Sequence, residues 1–376
     1  MLAPSSKMSR HIFIQSLLFA VLFVILLIWI SSPQARFSSD TVSTAVSTAD
    51  STVVSTAVST AASTAAPARL QPDIPNYAHF VFLLEKPESD FPFVFFQYLS
   101  MYAAWYYLRP DKIYLHTDAR EQQIKRAREG LAGKWSKLIF EIPGLTINHV
   151  KSPTVARNGV KIQHMAHKSD FIRVEAIREF GGLYMDFDVF AIRDLRQLLT
   201  SGFESISGRE PGGLMTAGAF LAQKQSKIMN MWAEQMHQVF DQGWITHSNG
   251  LMTRIGEQLI PDPRQILVLE QDAFTPVTYS PGGVESFLES HQNVPSALQD
   301  HKDGETLPFL NHYDEPQGSG AMNFNKSYSV HAFRIEETGI EVSPRSILER
   351  RSDIGRVLYP VVRDMYNQGV ISLDEK

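Results

Sequence analysis

The sequence predicts a three-layer α/β domain with a parallel sheet, held behind a single N-terminal transmembrane helix. A buried strand at His79–Leu84, a helix at Phe93–Leu108, a strand at Lys112–Asp118 and a charged helix at Glu121–Gly130 follow one another. Strands that alternate with helices are typical of parallel sheets covered by helices on both faces. The chain also has 376 residues and 44% hydrophobic content, enough for a sizeable core. The third observation is an uncharged apolar run at Ile12–Ile30.

The apolar run at Ile12–Ile30 contains nineteen residues, which as a helix can cross a bilayer core about 30 Å thick. Lys7 and Arg10 precede it, and this position favours a cytoplasmic tail over residues 1–11 and a lumenal remainder. A cleaved signal peptide is the alternative, but its apolar region is usually about 7–15 residues long. We therefore expect an uncleaved anchor and a single-pass type II topology.

Residues 31–71 are predicted to form a stalk. Residues 42–65 divide into six tetrads related to VSTA, with serine and threonine at half of the positions. This composition favours an extended, O-glycosylated segment over a packed element, because it offers no large apolar side chain to a core. A β-prone aggregating segment is the alternative, and Pro67 disfavours it. The globular domain is then expected over residues 72–376.

The central block of the chain is HKSDFIRVEAIREFGGLYMDFDVF, residues 167–190. Helical periodicity over its first half places Asp170 and Arg173 on the same arc as Val174 and Ile177. Burying an acid and a base on an apolar face is costly unless they meet each other or a polar ligand. Both interpretations stay open here, an i,i+3 ion pair and a set of ligand contacts. Gly181-Gly182 is expected to end the helix.

The segment Leu183–Ile192 alternates with period two and is predicted to be one strand. Tyr184, Asp186 and Asp188 would then face the same side. Two carboxylates about 7 Å apart along a strand can hold a divalent cation and leave positions open for phosphate oxygens. The pattern therefore favours a metal–diphosphate site, although an Asp-x-Asp triplet alone is also typical of a turn or a solvated strand face.

The segment SDFIRVEAIREFGGLYMDFDV resembles the donor-sugar region of glycosyltransferases that include the fungal Golgi initiating α-1,6-mannosyltransferase and animal α-1,4-galactosyltransferases. The large clostridial glucosylating toxins carry a similar block. The resemblance implies a GT-A, Rossmann-like nucleotide-sugar-binding fold and a retaining reaction. It also implies that Asp170, Arg173 and Tyr184 contact the donor. In the same way it implies that Asp186 and Asp188 engage sugar, ribose and Mn²⁺ or Mg²⁺.

The partners implied by this resemblance are a nucleotide-sugar donor and a glycan or glycolipid acceptor, in the Golgi or ER membrane. GDP-mannose is the favoured donor because stalk and central block look fungal, with UDP-galactose and UDP-GlcNAc as open alternatives. The net charge of −5 offers no attraction to nucleic acid. The chain contains no cysteine, which excludes thiol catalysis and cysteine-ligated zinc.

Three downstream segments also resemble the family. GGLMTAGAFLAQKQ resembles a strand that presents small residues to the acceptor, and Trp244–Ile255 an acceptor-side loop in which Asn249-Gly250 replaces the usual Gly-Pro. His247 in that loop is either a base or, as the sequence favours, a satisfied loop histidine. His331 is either a metal or phosphate ligand, as the resemblance implies, or an edge-strand histidine. A single terminal helix is predicted from the Ser343 cap to Gly369.

Two other classes of function stay open on the sequence. A metal-dependent hydrolase could use the same aspartates, but it would usually need more clustered histidine or aspartate ligands than this chain offers. A non-catalytic, membrane-anchored sugar-binding protein could retain the same polar residues without turnover.

Overall fold

The computed structural model describes residues 73–280, 282–302, 304–310 and 320–375. The predicted cytoplasmic tail, anchor and stalk all lie outside these residues. Within the described part of the chain, no helix combines the length and the apolar character that a membrane span requires.

Nine strands are described. They are β1 Tyr77–Phe82, β2 Lys112–Thr117, β3 Leu145–His149, β4 Gly182–Met185, β5 Val189–Ala191, β6 Ser205–Arg209, β7 Met215–Ala222, β8 Leu267–Leu269 and β9 Ser329–His331.

The described residues also form α-helices. They are α1 Phe95–Leu108, α2 Glu121–Arg128, α3 Lys134–Leu138, α4 Met165–Phe180, α5 Arg196–Leu199, α6 Lys227–Val239, α7 Asn249–Leu259, α8 Gln271–Phe274, α9 Gly283–Leu288, α10 Pro344–Leu348 and α11 Asp353–Asn367. Short 3₁₀ turns occupy Ile139–Glu141 and Ile335–Glu337.

The main sheet has seven strands in the order β3-β2-β1-β4-β7-β6-β8. Strands β3, β2, β1 and β4 run parallel to one another, as predicted. The sheet is nevertheless mixed, because β7 runs antiparallel to both β4 and β6. A tight turn closed by a hydrogen bond of 2.7 Å from the Glu210 N–H to the Leu214 carbonyl oxygen joins β6 to β7, and so short a connection can only produce an antiparallel pair.

Helices cover the sheet on both faces, which confirms the three layers. One core joins Phe80 of β1 to Leu99 of α1 and Val357 of α11. The other core joins Tyr184 of β4 to Ile177 of α4, with α6 and α7 residues packed beside them. A second, two-stranded sheet pairs β5 with β9 in antiparallel register.

Two predicted elements are wrong in extent. Leu183–Ile192 is not one strand, since β4 ends at Met185 and a turn separates it from β5. The terminal helix is two helices, because Arg350 adopts a left-handed φ of 58° and Ser352 caps α11 by accepting from the Gly355 N–H. In both cases the hydrophobic pattern of the sequence continues across a position at which the strand or helix is interrupted.

A buried chain of hydrogen bonds crosses the sheet beneath α4. His79 and His116 have no solvent exposure, and His79 Nδ1 lies 3.0 Å from His116 Nε2. His79 Nε2 lies 2.8 Å from the Gly181 carbonyl oxygen, and the Asn148 amide nitrogen lies 2.9 Å from His116 Nδ1. The Asn148 amide can only donate to His116 Nδ1, and the Gly181 carbonyl can only accept from His79 Nε2. Both imidazoles are therefore assigned as neutral tautomers that carry their proton on Nε2. A further proton on either ring would leave a donor facing a donor.

We expect the free energy of unfolding to fall as the pH is lowered from 6.5 to 4. Burial lowers the pKa of His116 to about 4, and burial followed by the neighbouring His116 lowers that of His79. An unfolded histidine titrates near pH 6.5, so in this interval the unfolded chain binds more protons than the folded one. The loss is roughly 3 kcal/mol for His116, measurable by urea unfolding at pH 7, 5.5 and 4.5. His116→Gln should make the dependence shallower and leave the His79 contribution, the exposed His164→Gln should leave the dependence unchanged, and a flat wild-type profile would contradict the expectation.

Candidate metal and donor-sugar site

Helix α4 buries the predicted acid and base, since Asp170 is 7% and Arg173 6% exposed. The helix ends at Gly181-Gly182 as predicted, and the two glycines adopt φ of +70° and +119°. A side chain on Gly182 would also place its Cβ 2.6 Å from the Tyr77 carbonyl oxygen. This short glycine connection sets α4 directly against β4 and its carboxyl end.

The Arg173 guanidinium connects the two predicted donor-binding carboxylates. It lies 3.3 Å from Asp170 Oδ1 and 2.9 Å from Asp186 Oδ1, and it donates to the Ala217 carbonyl oxygen at 2.8 Å. The guanidinium also lies over the Tyr184 ring, 4.6 Å from its centre, while the Tyr184 hydroxyl donates to Asp186 at 2.6 Å. The acid and base of α4 therefore meet each other, and the network continues to the end of β4.

Asp186, Asp188 and His331 form a cluster in which one possible ligand atom from each residue lies within 4.8 Å of the others. His331 comes from β9, which pairs with β5 so that Val189 stands opposite His331. Its Nε2 lies 3.2 Å from Asp188 Oδ1, and the Arg334 N–H donates to Asp188 Oδ2 at 3.0 Å. The two aspartates converge as predicted, but through the turn between β4 and β5 and not through strand alternation.

This cluster fits a divalent cation. Metal–ligand bonds of about 2.1 Å place adjacent octahedral ligands about 3.0 Å apart and opposite ones about 4.2 Å apart, so three ligand atoms within 4.8 Å of one another reach these spacings by a contraction of at most about 2 Å. Carboxylates suit Mg²⁺ and Mn²⁺, and an imidazole suits transition metals. The His331 Nδ1 atom is buried without a hydrogen-bond partner among the described residues. Asp186, Asp188 and His331 therefore form a donor set that could hold a divalent metal ion.

The pKa values of the three side chains in the cluster are shifted in different directions. Burial raises the pKa of Asp186 in spite of the neighbouring Arg173. Burial also acts to raise the pKa of Asp188, but the His331 imidazole and the Arg334 N–H outweigh it and lower that pKa. Burial acts to lower the pKa of His331, and the Asp188 and Asp186 carboxylates raise it overall. The same two carboxylates that raise the pKa of His331 would also attract a cation, and a metal that binds an imidazole nitrogen displaces any proton held there.

Gly218 of β7 keeps the space beside this cluster open. A Cβ at this position would lie 2.7 Å from His331 Cε1 and 3.0 Å from Asp186 Oδ2. We expect Gly218→Ala to push these two side chains apart and to weaken Mn²⁺ affinity at least tenfold, as perturbing the surroundings of metal ligands typically does by about 10–100-fold. Titration calorimetry with Mn²⁺ measures this. Unchanged Mn²⁺ affinity in Gly218→Ala would contradict the expectation.

Two side chains near the site were not predicted as parts of it. The sequence favours a satisfied loop histidine at His247, but only one ring nitrogen has a partner among the described residues: Nε2 lies 2.9 Å from Asp170 Oδ2, and Nδ1 has none. Glu210, in the turn between β6 and β7, bonds to the Thr216 and Asn249 side chains, and burial raises its pKa. The sequence around Glu210, GREPGG, shows only a turn, so nothing in it indicates a carboxylate close to His331.

Known proteins resemble this chain in the same region. Residues 97–204 match the family described as glycosyltransferase sugar-binding region containing DXD motif. The chain is 25% identical over 319 residues to glucan organizing enzyme 1 of Cryptococcus neoformans var. grubii serotype A, strain H99, covering 79% of this chain and 74% of that enzyme.

Two solved structures are also similar. The PaToxG glycosyltransferase has a TM-score of 0.36 and 14% identity, over 50% of this chain and 71% of that one. The apo form of the glycosyltransferase GlyE of Streptococcus pneumoniae TIGR4 has a TM-score of 0.31 and 13% identity, over 53% of this chain and 46% of that one.

The family match includes α4, the Gly-Gly connection and the triplet Asp186-Phe187-Asp188, which are the elements that build the site. The sequence relationship extends over most of the chain and leads to a protein named as an enzyme. Residues 97–204 therefore carry a glycosyltransferase sugar-binding region with the DXD motif, and this match, together with the similarity to a protein named as an enzyme, supports glycosyltransferase activity.

Proposed function

We propose that the protein transfers a hexose from a nucleotide sugar to a glycan or glycolipid acceptor, with retention of anomeric configuration and with Mn²⁺ or Mg²⁺. The observation that carries the proposal is the convergence of Asp170, Arg173 and Asp186 beside the metal-ligand set of Asp186, Asp188 and His331. The first group can bind sugar hydroxyls, and a cation held by the second group can bind the diphosphate. A nucleotide sugar carries these two parts next to each other. GDP-mannose is our preferred donor, ahead of UDP-galactose and UDP-GlcNAc.

In this proposal, Asp186, Asp188 and His331 hold the cation. A bound divalent cation supplies a Lewis acid that stabilises the charge of the departing diphosphate. Asp188 is held for this role from two sides, by the His331 imidazole and by the Arg334 N–H. The ligands therefore need little reorganisation, and preorganised charges of this kind contribute most to stabilising a transition state.

The second group orients the sugar. Arg173 contacts Asp170, Asp186 and the Ala217 carbonyl. Its guanidinium therefore holds the two carboxylates in one fixed orientation. The Tyr184 hydroxyl fixes Asp186 further. Carboxylate lone pairs that these bonds leave free can accept hydrogen bonds from sugar hydroxyls. Holding the donor in one reactive orientation contributes a substantial part of the barrier reduction.

The arrangement favours a displacement without a covalent enzyme intermediate. Asp170 is engaged by Arg173 and His247, and Asp186 by Arg173 and Tyr184. Carboxylates held in this way are poorly placed to attack the sugar. We propose that the acceptor hydroxyl attacks the anomeric carbon of the donor sugar from the same face from which the diphosphate departs. A phosphate oxygen of the departing diphosphate takes the proton of that hydroxyl.

We further propose that residues 12–30 anchor the protein in a Golgi or ER membrane, with the stalk at 31–71 and the catalytic domain at 72–376 in the lumen. The support is the uncharged run and the basic residues before it. Protease digestion of sealed microsomes tests this topology: protection of the catalytic domain supports it, and digestion without detergent would contradict it.

A donor panel tests the proposed reaction. The full-length protein in detergent is incubated with Mn²⁺ and a set of UDP- and GDP-sugars, and transfer or slow donor hydrolysis is followed. We expect one donor to react, EDTA to stop the reaction and added Mn²⁺ to restore it, with the product anomer read by NMR. Hydrolysis of unrelated substrates without a nucleotide sugar would support a metal-dependent hydrolase, and binding without turnover a sugar-binding protein.

A further inference from the structure

His247 lies in the loop between α6 and α7 and has no solvent exposure. Its Nε2 lies 2.9 Å from Asp170 Oδ2. Since an ionised carboxylate can only accept, the imidazole donates from Nε2. The other oxygen of Asp170 lies 3.3 Å from Arg173. Each carboxylate oxygen of Asp170 therefore has its own donor, one from α4 and one from a loop 77 residues away in the chain.

Aromatic rings hold the imidazole of His247 in one orientation. Phe171 stacks on it at 5.5 Å between ring centres and an angle of 14°. Phe240 and His167 approach it edge-on at 4.8 Å and 4.9 Å. The backbone is held as well, because the Trp232 indole N–H donates to the His247 carbonyl oxygen at 2.8 Å. The ring is thus packed around its apolar parts and aimed at Asp170 with one nitrogen.

Packing alone does not account for a histidine at this position. A phenylalanine would fill the same aromatic surroundings without bringing a buried nitrogen, and the Nδ1 atom of His247 has no hydrogen-bond partner among the described residues. A buried polar atom without a partner is destabilising. The hydrogen bond from Nε2 to Asp170 is what the imidazole provides and a phenyl ring does not.

We infer that His247 is a positioning residue that fixes the Asp170 carboxylate in the orientation needed for the donor sugar. This inference rests on the proposed function. Without the Nε2–H donor, Asp170 can rotate and pair with Arg173 through both oxygens, which changes the surface offered to the sugar hydroxyls. Removing a residue that orients a ligand-binding side chain typically costs about 10–100-fold. The nucleoside diphosphate does not depend on this carboxylate in the proposed site, so its affinity should stay constant.

Two substitutions separate positioning from packing. His247→Phe retains the aromatic contacts and removes the donor, whereas His247→Gln retains an N–H donor with a similar reach. We expect His247→Phe to lower kcat about 10–100-fold and to leave Mn²⁺-dependent binding of the nucleoside diphosphate within threefold of wild type. His247→Gln should recover most of the lost rate. In Asp170→Asn, the added His247→Phe change should cause little further loss.

His237→Phe is the matched control, since His237 packs against the same Phe171 at 4.6 Å but does not contact Asp170. Thermal melting of each full-length variant checks folding. Equal activity of His247→Phe and wild type, or equal losses in His247→Phe and His247→Gln, would overturn the positioning role while the proposed function stands. A wild-type protein that neither binds nor turns over any nucleotide sugar would overturn the proposed function, and the positioning role with it.

Discussion

Asp188→Asn is expected to reduce kcat/KM on the order of 10³-fold. The cation contact supplied by a ligand carboxylate is worth several kcal/mol to a developing anion, and each 1.4 kcal/mol corresponds to about tenfold in rate. Asparagine keeps the shape of the side chain and an oxygen that can accept from the Arg334 N–H. The substitution therefore removes charge from the metal-ligand set with little change in packing. Initial rates at saturating Mn²⁺ and calorimetric Mn²⁺ affinity measure the two consequences.

Asp194→Asn provides the control for this experiment. Asp194 lies six residues further on, is half exposed and pairs with Arg196 at 2.6 Å, away from the metal ligands. Exposed ion pairs of this kind contribute about 0–1 kcal/mol, so rate and metal affinity should match the wild type. An Asp188→Asn protein that is correctly folded and retains activity within threefold of the wild type would exclude Asp188 as a metal ligand.

The parts of the site that could be predicted are those governed by local periodicity. The buried face of α4 follows from 3.6-residue spacing, which places Asp170 and Arg173 beside Val174 and Ile177. The end of the helix follows from two consecutive glycines, and both adopt positive φ. No information from elsewhere in the chain was needed for either conclusion.

The path of the chain through Asp186 and Asp188 was predicted less well. The sequence alternates from Leu183 to Ile192 without interruption across the turn, whereas the structure buries every residue of β4 and of β5. What bends the backbone there is pairing with different partners, since β4 lies between β1 and β7 whereas β5 pairs with β9. Such long-range pairing leaves no mark in a local pattern.

The positions of His331, His247 and Glu210 likewise follow from contacts between parts of the chain that are far apart in the sequence. His331 was proposed from resemblance alone, and β9 brings it to Asp188 through pairing with β5. His247 reaches Asp170 because α6 and α7 pack against α4 in one core. Glu210 reaches the site because the β6–β7 turn lies at the same end of the sheet as Asp186, where the Asp186 N–H bonds to the Gly218 oxygen. Only the tertiary arrangement identifies these residues.

Arg173→Lys is expected to lower kcat/KM about 100-fold and to reduce the free energy of unfolding by about 1–3 kcal/mol. The guanidinium contacts Asp170, Asp186 and the Ala217 carbonyl together. A lysine ammonium is a compact charge without the planar fork that two carboxylates share here. At least one buried acceptor then loses its donor, and the carboxylates that orient the sugar are no longer held in one arrangement. Initial rates with the reactive donor and urea unfolding give both quantities.

Arg178→Lys on the same helix separates this effect from a general loss of helix stability. Arg178 pairs with Glu175 at 2.6 Å, and its side chain is 37% exposed, so a lysine can keep the interaction through solvent-accessible geometry at a cost of less than about 1 kcal/mol. If both variants lost activity equally, the effect would arise from α4 as a whole. A large loss in Arg173→Lys alone would assign the effect to the guanidinium that joins Asp170 to Asp186, because both substitutions replace an arginine of α4 by lysine and Arg178 pairs with Glu175 instead.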